Sequence, residues 1–272
     1  MSDGATEVPV IDARSLVLDF KVNSDFESRP AVYANRAANC ARGLAPLSLR
    51  PETRDGKIAI VGYGPSLQDS WPDLLRFDGP IWTVSKAHDF LLERGIQPTY
   101  HTDTDFREHK AGFNKLIGAR TEYRIGTCVH PAYLDRLPAE RTKLFHITPP
   151  HYGPYEAGYP KLECEYDVGT VAMRLAYTLG WREQHWYGFD FSSTPEGTHA
   201  GPHEGSKSDL YFVDVPFKDK TLRFGSTSLQ LHAAMGVERM LRALPRLRPT
   251  IHGNGMIAPL LQARGKIGAR RR

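Results

Sequence analysis

Residues Lys57–Leu67 read KIAIVGYGPSL. Ile58, Ala59, Ile60 and Val61 form a short apolar run without polar alternation, the pattern of a strand covered on both faces in a parallel sheet. The run stops at Gly62-Tyr63-Gly64-Pro65-Ser66. Two glycines let a backbone turn sharply and approach a ligand closely. Pro65 favours a fixed turn, and Ser66 can cap the next helix or donate to a phosphate. A strand ending in a glycine turn before a helix is where open α/β sheets place a nucleotide. The third glycine of G-x-G-x-x-G is missing, since position 67 is Leu67, and no Gly-Lys-Ser/Thr follows. Nucleotide binding and a plain tight turn both remain open on spacing alone. If the turn faces a nucleotide, Gly64→Val is expected to abolish binding in a chain that still folds.

Outward from this turn, strand-like and helix-like stretches alternate. Strands are expected at 57–62, 80–84, 99–103, 122–126, 143–148, 184–189 and 250–252. Helices are expected at 31–44, 70–77, 86–94, 108–117, 131–137, 170–179 and 228–244. The alternation predicts an α/β fold: a Rossmann-like, mostly parallel sheet with helices on both faces and long loops over the ligand side. The expected organisation is an N-terminal arm and helix over 1–55, a nucleotide-binding domain over 56–260 and a basic C-terminal tail over 261–272. Two stretches break the pattern, 149–165, rich in Pro, Gly and Tyr, and 192–225, long and polar. Such loops tend to be lids or binding loops.

The 272 residues, 40% hydrophobic, suit one large domain with extensions. No apolar run approaches the ~20 residues of a membrane span, and the first residues lack a signal-peptide pattern, so a cytoplasmic protein is expected. Cys40, Cys128 and Cys164 are odd in number and form no C-x-x-C. Reduced structural thiols are expected, not a disulfide framework or a zinc cluster. The net charge of +4 is carried by the last nine residues, RGKIGARRR; without their five basic side chains the rest is about −1. The tail can be a solvated end or can touch phosphates.

Three further clusters belong with the glycine turn. In His101-Thr102-Asp103-Thr104-Asp105 the two carboxylates share a side of an extended chain. They can hold a divalent cation such as Mg²⁺ on a diphosphate, or a ribose hydroxyl, or form an Asx turn. In Tyr166-Asp167-Val168-Gly169-Thr170 a helix begins whose N-terminus suits a phosphate, though Asp167 equally reads as its N-cap. In Gly188-Phe189-Asp190-Phe191-Ser192 a carboxylate sits between aromatics, where it either anchors backbone amides or faces a ligand. The following loop carries His199 and His203, candidate general bases or plain surface residues.

Taken in order, these blocks resemble the 6-hydroxymethylpterin diphosphokinase-like (MptE-like) family. That family includes the motility accessory factor glycosyltransferases, and its relatives include small bacterial sialyltransferases that use CMP-sialic acid. The resemblance lies in VGYGPSL (61–67), SKAHDFLLERGIQPTYHTDTD (85–105) and VGTVAMRLAYTLGWREQHWYGFDFS (168–192), with a weaker match over 33–47. It implies a Rossmann-like fold that binds a nucleotide diphosphate or a nucleotide-activated sugar. By the resemblance Gly62, Gly64, Pro65 and Ser66 would line the nucleotide, with Asp105, Gly169 and Asp190 completing the site; Tyr63, Ser85, Asp103, Asp167 and Thr170, beside them in the same blocks, are further candidates for nucleotide contact. The sequence departs from the family where Tyr63 replaces a small or amide residue and Ser85 an asparagine. Ser226 stands where the sialyltransferases carry a histidine.

The expectation is a transferase acting on an acceptor hydroxyl with a nucleotide sugar as donor. His199, His203 or Asp105 would be the base, and Asp105 would be a metal ligand if Mg²⁺ takes part. The alternatives are diphosphoryl transfer from a nucleoside triphosphate to a pterin-like alcohol, and a non-catalytic nucleotide-binding scaffold. The acceptor is left open among glycan, protein, small molecule and nucleic acid. Asp105 and Asp190 are expected to face one cleft, and 192–225 to close over the donor as a lid.

Overall fold

The computed structural model describes residues 10–13, 29–52, 54–148, 153–164, 167–195, 197–200 and 210–265. In chain order these form β1 (Val10–Asp12), α1 (Arg29–Cys40), β2 (Ala45–Pro46), β3 (Lys57–Val61), α2 (Leu67–Leu74), β4 (Ile81–Val84), α3 (Ala87–Leu92) and β5 (Tyr100–Thr102). They continue with β6 (Glu122–Gly126), α4 (Pro131–Leu134), β7 (Thr142–Ile147), β8 (Lys161–Leu162), α5 (Val168–Thr178) and β9 (Glu183–Tyr187). The last elements are β10 (Leu210–Phe217), β11 (Lys220–Thr227), α6 (Ser228–Ala243), β12 (Arg248–His252) and α7 (Ile257–Ala263).

The main sheet has nine strands, in the order β12-β9-β3-β4-β5-β6-β7-β2 with β8 also on β7. Every pairing in it is parallel. The chain winds from β3 outward to β7 and then returns to lay β9 on the other side of β3. The strand order therefore reverses between β3 and β9, next to the glycine turn. Alternation along β3 sets the two faces. Ile58 and Ile60 join Trp82, Val84 and Trp186 under Val171 and Leu175 of α5 and Leu231 and Val237 of α6. Ala59 and Val61 join Ile81 and Tyr187 under Leu67 and Leu74 of α2 and Phe90 and Leu91 of α3. Helices thus cover both faces, as the apolar run at 58–61 requires.

Three stretches differ from the sequence expectation. Residues 108–117 form only a 3-10 turn, Glu108–Gly112. Gly112 and the left-handed Asn114 (φ +53°) end it, and the Asp89 carboxylate takes the Lys115 and Leu116 amides at 2.6 and 3.2 Å. Most described residues of 192–225 are not a loop: β10 and β11 pair antiparallel from Leu210↔Thr227 to Phe217↔Lys220, and β1 joins β10 in parallel. Residues 201–209, which include His203, lie outside the described residues. Finally, α7 arises beyond the last expected strand, because Pro259 sits in the helix's first turn, where its missing N–H costs nothing. Past α7, Arg264 is folded in, with its guanidinium on Glu238 at 2.6 Å and on the Ala13 carbonyl at 3.0 Å; the remainder of the basic tail is outside the described residues. No described helix is long and apolar enough to cross a membrane.

Candidate functional site

The glycine turn follows β3, and its amides face inward. The Gly62 and Gly64 N–H groups donate to the Tyr187 and Gly188 carbonyls, each at 2.8 Å, and the Ser66 N–H donates to Asp190 Oδ2 at 2.9 Å. The Leu67 and Gln68 N–H groups close the first turn of α2 onto Gly64 and Pro65, each at 3.1 Å. A Cβ on Gly62 would meet the Gly188 carbonyl at 2.8 Å, and one on Gly64 would overlap the Asp190 carboxylate. The glycines are therefore needed for contact with the end of β9, and Gly64→Val is not a clean test of ligand binding. Asp190 is buried. Burial raises its carboxyl above the ordinary range, against hydrogen bonds from Ser66 and the Gly255 amide. Of the two readings of Asp190, the geometry supports the anchor.

The start of α5 resolves in the same direction. Asp167 caps it by accepting from the Thr170 N–H at 2.9 Å, and the Thr170 hydroxyl donates back to the Asp167 carbonyl at 2.8 Å. Burial raises the Asp167 carboxyl, and the Thr170 and Gly169 amides oppose the shift. Gly169 lies under the Phe189 ring, which a Cβ would strike. Ser226, at the end of β11, is buried and donates to the Phe191 carbonyl at 2.9 Å.

Charge gathers instead beyond the ends of β4 and β5. Asp103 makes an Asx turn, with Oδ1 accepting from the Thr104 and Asp105 amides at 2.7 and 3.0 Å. Burial, with the neighbouring Asp105 charge, pushes its carboxyl up to about 6. Asp105 is gripped by Arg107, Nε to Oδ1 at 2.9 Å and Nη2 to Oδ2 at 2.6 Å, and Lys110 Nζ lies 3.9 Å away. Burial alone would raise the Asp105 carboxyl, but the Arg107 bonds and charge, with Lys110, hold it below the ordinary range. Two cations stand where a divalent ion would bind, so Asp105 does not fit a Mg²⁺ ligand and is a poor proton acceptor. Nor does the structure bring Asp105 and Asp190 together. The strands they follow, β5 and β9, are separated by β3 and β4, roughly 14 Å at sheet spacing, and each carboxylate is turned to its own partners.

Lys86, just past β4, and Lys110 each place Nζ 4.3 Å from the centroid of the Phe113 ring. Burial lowers the Lys110 ammonium, with the Arg107 and Lys86 charges adding and Asp105 and Asp103 opposing. His199 lies within range of the same two charges. Burial, then the Lys110 and Lys86 charges, lower its imidazole to about 4, so it is neutral near pH 7. Its ring lies against Tyr63, centroids 6.1 Å apart, and the Ala200 N–H bonds the Tyr63 carbonyl at 3.0 Å. The side chain of Tyr63, which departs from the family pattern, thus supports the His199 segment. Lys86 and Lys110 were not singled out in the sequence, where they are 24 positions apart; a lysine directly after a β-run on the ligand side was the signal.

Ser85 ends β4 with φ +48°, a left-handed conformation that asparagine tolerates better than serine. Ser85→Asn is expected to raise the unfolding free energy by about 0.5 kcal/mol, as read by urea denaturation.

The family model described as 6-hydroxymethylpterin diphosphokinase MptE-like matches residues 33–196. No curated protein matches the chain in sequence. Among solved structures, a MAf glycosyltransferase from Magnetospirillum magneticum AMB-1 is similar with a TM-score of 0.57 and 16% identity, over 88% of this chain and 41% of that one. That likeness shows a shared fold, and the chain spans well under half of that protein. A mammalian sialyltransferase in complex with Gal-beta-1-3GalNAc-ortho-nitrophenol aligns over 90% of each chain at 13% identity, but its TM-score of 0.39 carries no argument. The matched span runs from α1 past the glycine turn, Lys86, Lys110 and the end of β9, and on that match the chain belongs to the MptE-like family.

Proposed function

We propose that the chain is a transferase that binds a nucleotide-activated donor, a nucleotide sugar, above the C-terminal ends of β3, β4 and β5. The observation that carries this reading is the pair of ammonium groups, Lys86 and Lys110, held on the Phe113 ring, with the buried, neutral His199 within range of both charges. Two ammonium groups held near one another suit the phosphates of a donor, which would offset their mutual repulsion. Phe113 is the ring on which both ammonium groups are held. The glycine turn contributes by holding Tyr63 and the His199 segment in place.

In this reading Lys86 and Lys110 stabilise the charge that develops on the leaving nucleotide. Once the donor's phosphates offset the Lys86 and Lys110 charges that lower His199, its imidazole gains basicity; it accepts the proton of the acceptor hydroxyl while that oxygen bonds to the sugar carbon, and the donor's C–O bond breaks with its electron pair leaving on the phosphate. Calorimetric titration with nucleotides and nucleotide sugars is the test. Lys86→Met is expected to weaken donor binding by about 10-fold or more, the loss of one charged hydrogen bond, with Tm unchanged; unaltered affinity would refute the phosphate role. His199→Gln is expected to lower single-turnover rate by about 100-fold or more at nearly unchanged donor affinity. Metal-dependent turnover of ATP with no hydrolysis of sugar nucleotides would shift the assignment to diphosphoryl transfer.

A further inference from the structure

Toward the β2 edge of the sheet, two strands beyond β5, three metal-binding residue types meet. Cys40 is the last residue of α1, His146 lies near the end of β7, and Glu156 belongs to the segment between β7 and β8. One donor atom from each lies within 4.8 Å of the other two. We propose that Cys40, His146 and Glu156 form a zinc site that ties the end of α1 to the edge of the sheet.

The surrounding bonds fix the imidazole for this role. His146 Nε2 lies 3.0 Å from the Glu156 main-chain oxygen. A carbonyl only accepts, so Nε2 carries the proton and the lone pair is on Nδ1. An N–H to a backbone carbonyl on the far side of the ring is the usual support of a metal-bound histidine. Nδ1 meets the Thr127 hydroxyl at 2.7 Å, so a zinc ion would take the place of that oxygen at Nδ1, and its binding requires the Thr127 side chain to turn aside. The carboxylate of Glu156 is set by Arg36, whose Nε is 3.4 Å from Oε2, and Oε2 has no hydrogen-bond partner in its buried position. The Tyr159 hydroxyl holds the turn after α1 by bonding the Cys40 and Leu44 carbonyls at 3.2 and 3.1 Å. Cys40 keeps its proton without a metal, because burial and the Glu156 charge raise the thiol to about 11.

The donor chemistry selects the ion. A thiolate with an imidazole and a carboxylate suits Zn²⁺, and is a poor set for Mg²⁺ or Ca²⁺. On binding, the Cys40 S–H bond breaks, the S–Zn bond forms and the proton passes to the buffer. Thiolate and carboxylate then neutralise the ion, so the Arg36 charge does not oppose it. The three donors are far apart in sequence and follow no ligand spacing, which is why the cysteine pattern gave no expectation of zinc.

The test is titration of the metal-free full chain with Zn²⁺ by calorimetry, and with Co²⁺ by absorbance. One ion per chain is expected, with release of about one proton, a rise in Tm and a thiolate-to-Co²⁺ charge-transfer band. Cys40→Ser, a near-isosteric change at a half-exposed helix end, is expected to remove the band and weaken Zn²⁺ by more than about 100-fold, beyond the cost of losing an outer partner. His146→Gln is the second variant. Absence of Zn²⁺ binding, or a Co²⁺ band and Zn²⁺ affinity that survive Cys40→Ser, would overturn the proposal. Neither outcome bears on the donor-binding reading, since the titration contains no nucleotide and both variants leave Lys86, Lys110 and His199 in place.

Discussion

Gly64→Val is expected to destabilise the chain by about 4 kcal/mol or more, the sum of overpacking and a displaced buried hydrogen bond. A Cβ at this position falls on the Asp190 carboxylate and within 3 Å of the Gly188 carbonyl. The turn cannot back away, because the Gly62, Gly64 and Ser66 amides are all tied to the β9 end. Moving Asp190 aside would strip a buried carboxylate of the Ser66 amide and disturb its contact with Gly255. For a chain of this size the loss corresponds to a fall in Tm of about 10 °C or more, read by thermal melting followed by circular dichroism. Asp190→Asn, which keeps the volume and an acceptor oxygen, is expected to be milder. An unchanged Tm in Gly64→Val with loss of nucleotide binding would instead return the turn to the role of a ligand cradle.

This outcome shows where the sequence could be read and where it could not. The fold was legible because parallel sheets write themselves locally. The run 58–61 has no polar face, and the structure covers Ile58 and Ile60 from one side and Ala59 and Val61 from the other. β9, Glu183-Gln184-His185-Trp186-Tyr187, was legible only through its aromatic end and the Gly188 that follows, and α6 through its apolar stripe at helical spacing. The hairpin of β10 and β11 was missed although Val213 and Val215 alternate with Phe212 and Asp214, because polar flanks made the region look like one long loop. The site was less legible because its logic is in partners, not types. Gly62, Gly64 and Asp190 were found, yet their sequence cannot say that they satisfy each other. Asp105 looked like a metal ligand until Arg107, two residues on, closed over it. Lys86 and Lys110 belong to different blocks and acquire meaning only through Phe113 and His199.

Acidification is expected to unfold the chain through its buried imidazoles. His88 and His101 are both fully buried, with ring centroids 4.5 Å apart. Thr83 Oγ1 lies 3.3 Å from His88 Nδ1 and 3.0 Å from His101 Nδ1. The far nitrogens meet the Tyr123 hydroxyl at 3.2 Å and the Tyr133 hydroxyl at 2.9 Å. Burial lowers His88 to about 4, and burial with the His88 charge lowers His101 well below its ordinary value. In the unfolded chain both titrate near 6.5. Above that pH neither state is protonated and the pair is neutral to stability. As pH falls below it, the unfolded chain takes up protons that the native state refuses, and the native state loses ground until its own pKa is reached. For His88 the loss is about 3 kcal/mol by pH 4. Asp103 works in the opposite sense: its raised carboxyl costs stability at neutral pH and returns it as pH falls through about 6. The raised Asp89, Asp167 and Asp190 act with it; against them stand His101, His146 and His199 and the lowered carboxyls of Asp105, Glu122 and Glu238, whose stabilisation is also lost as pH falls. Urea unfolding at pH 7 and pH 4.5 measures the net slope. His88→Gln lowers stability at pH 7 by removing a buried hydrogen bond, but it has no proton to refuse. The gap between it and the wild type is therefore expected to shrink by about 2 kcal/mol or more at pH 4.5. A gap that does not change with pH would place the acid sensitivity in other groups.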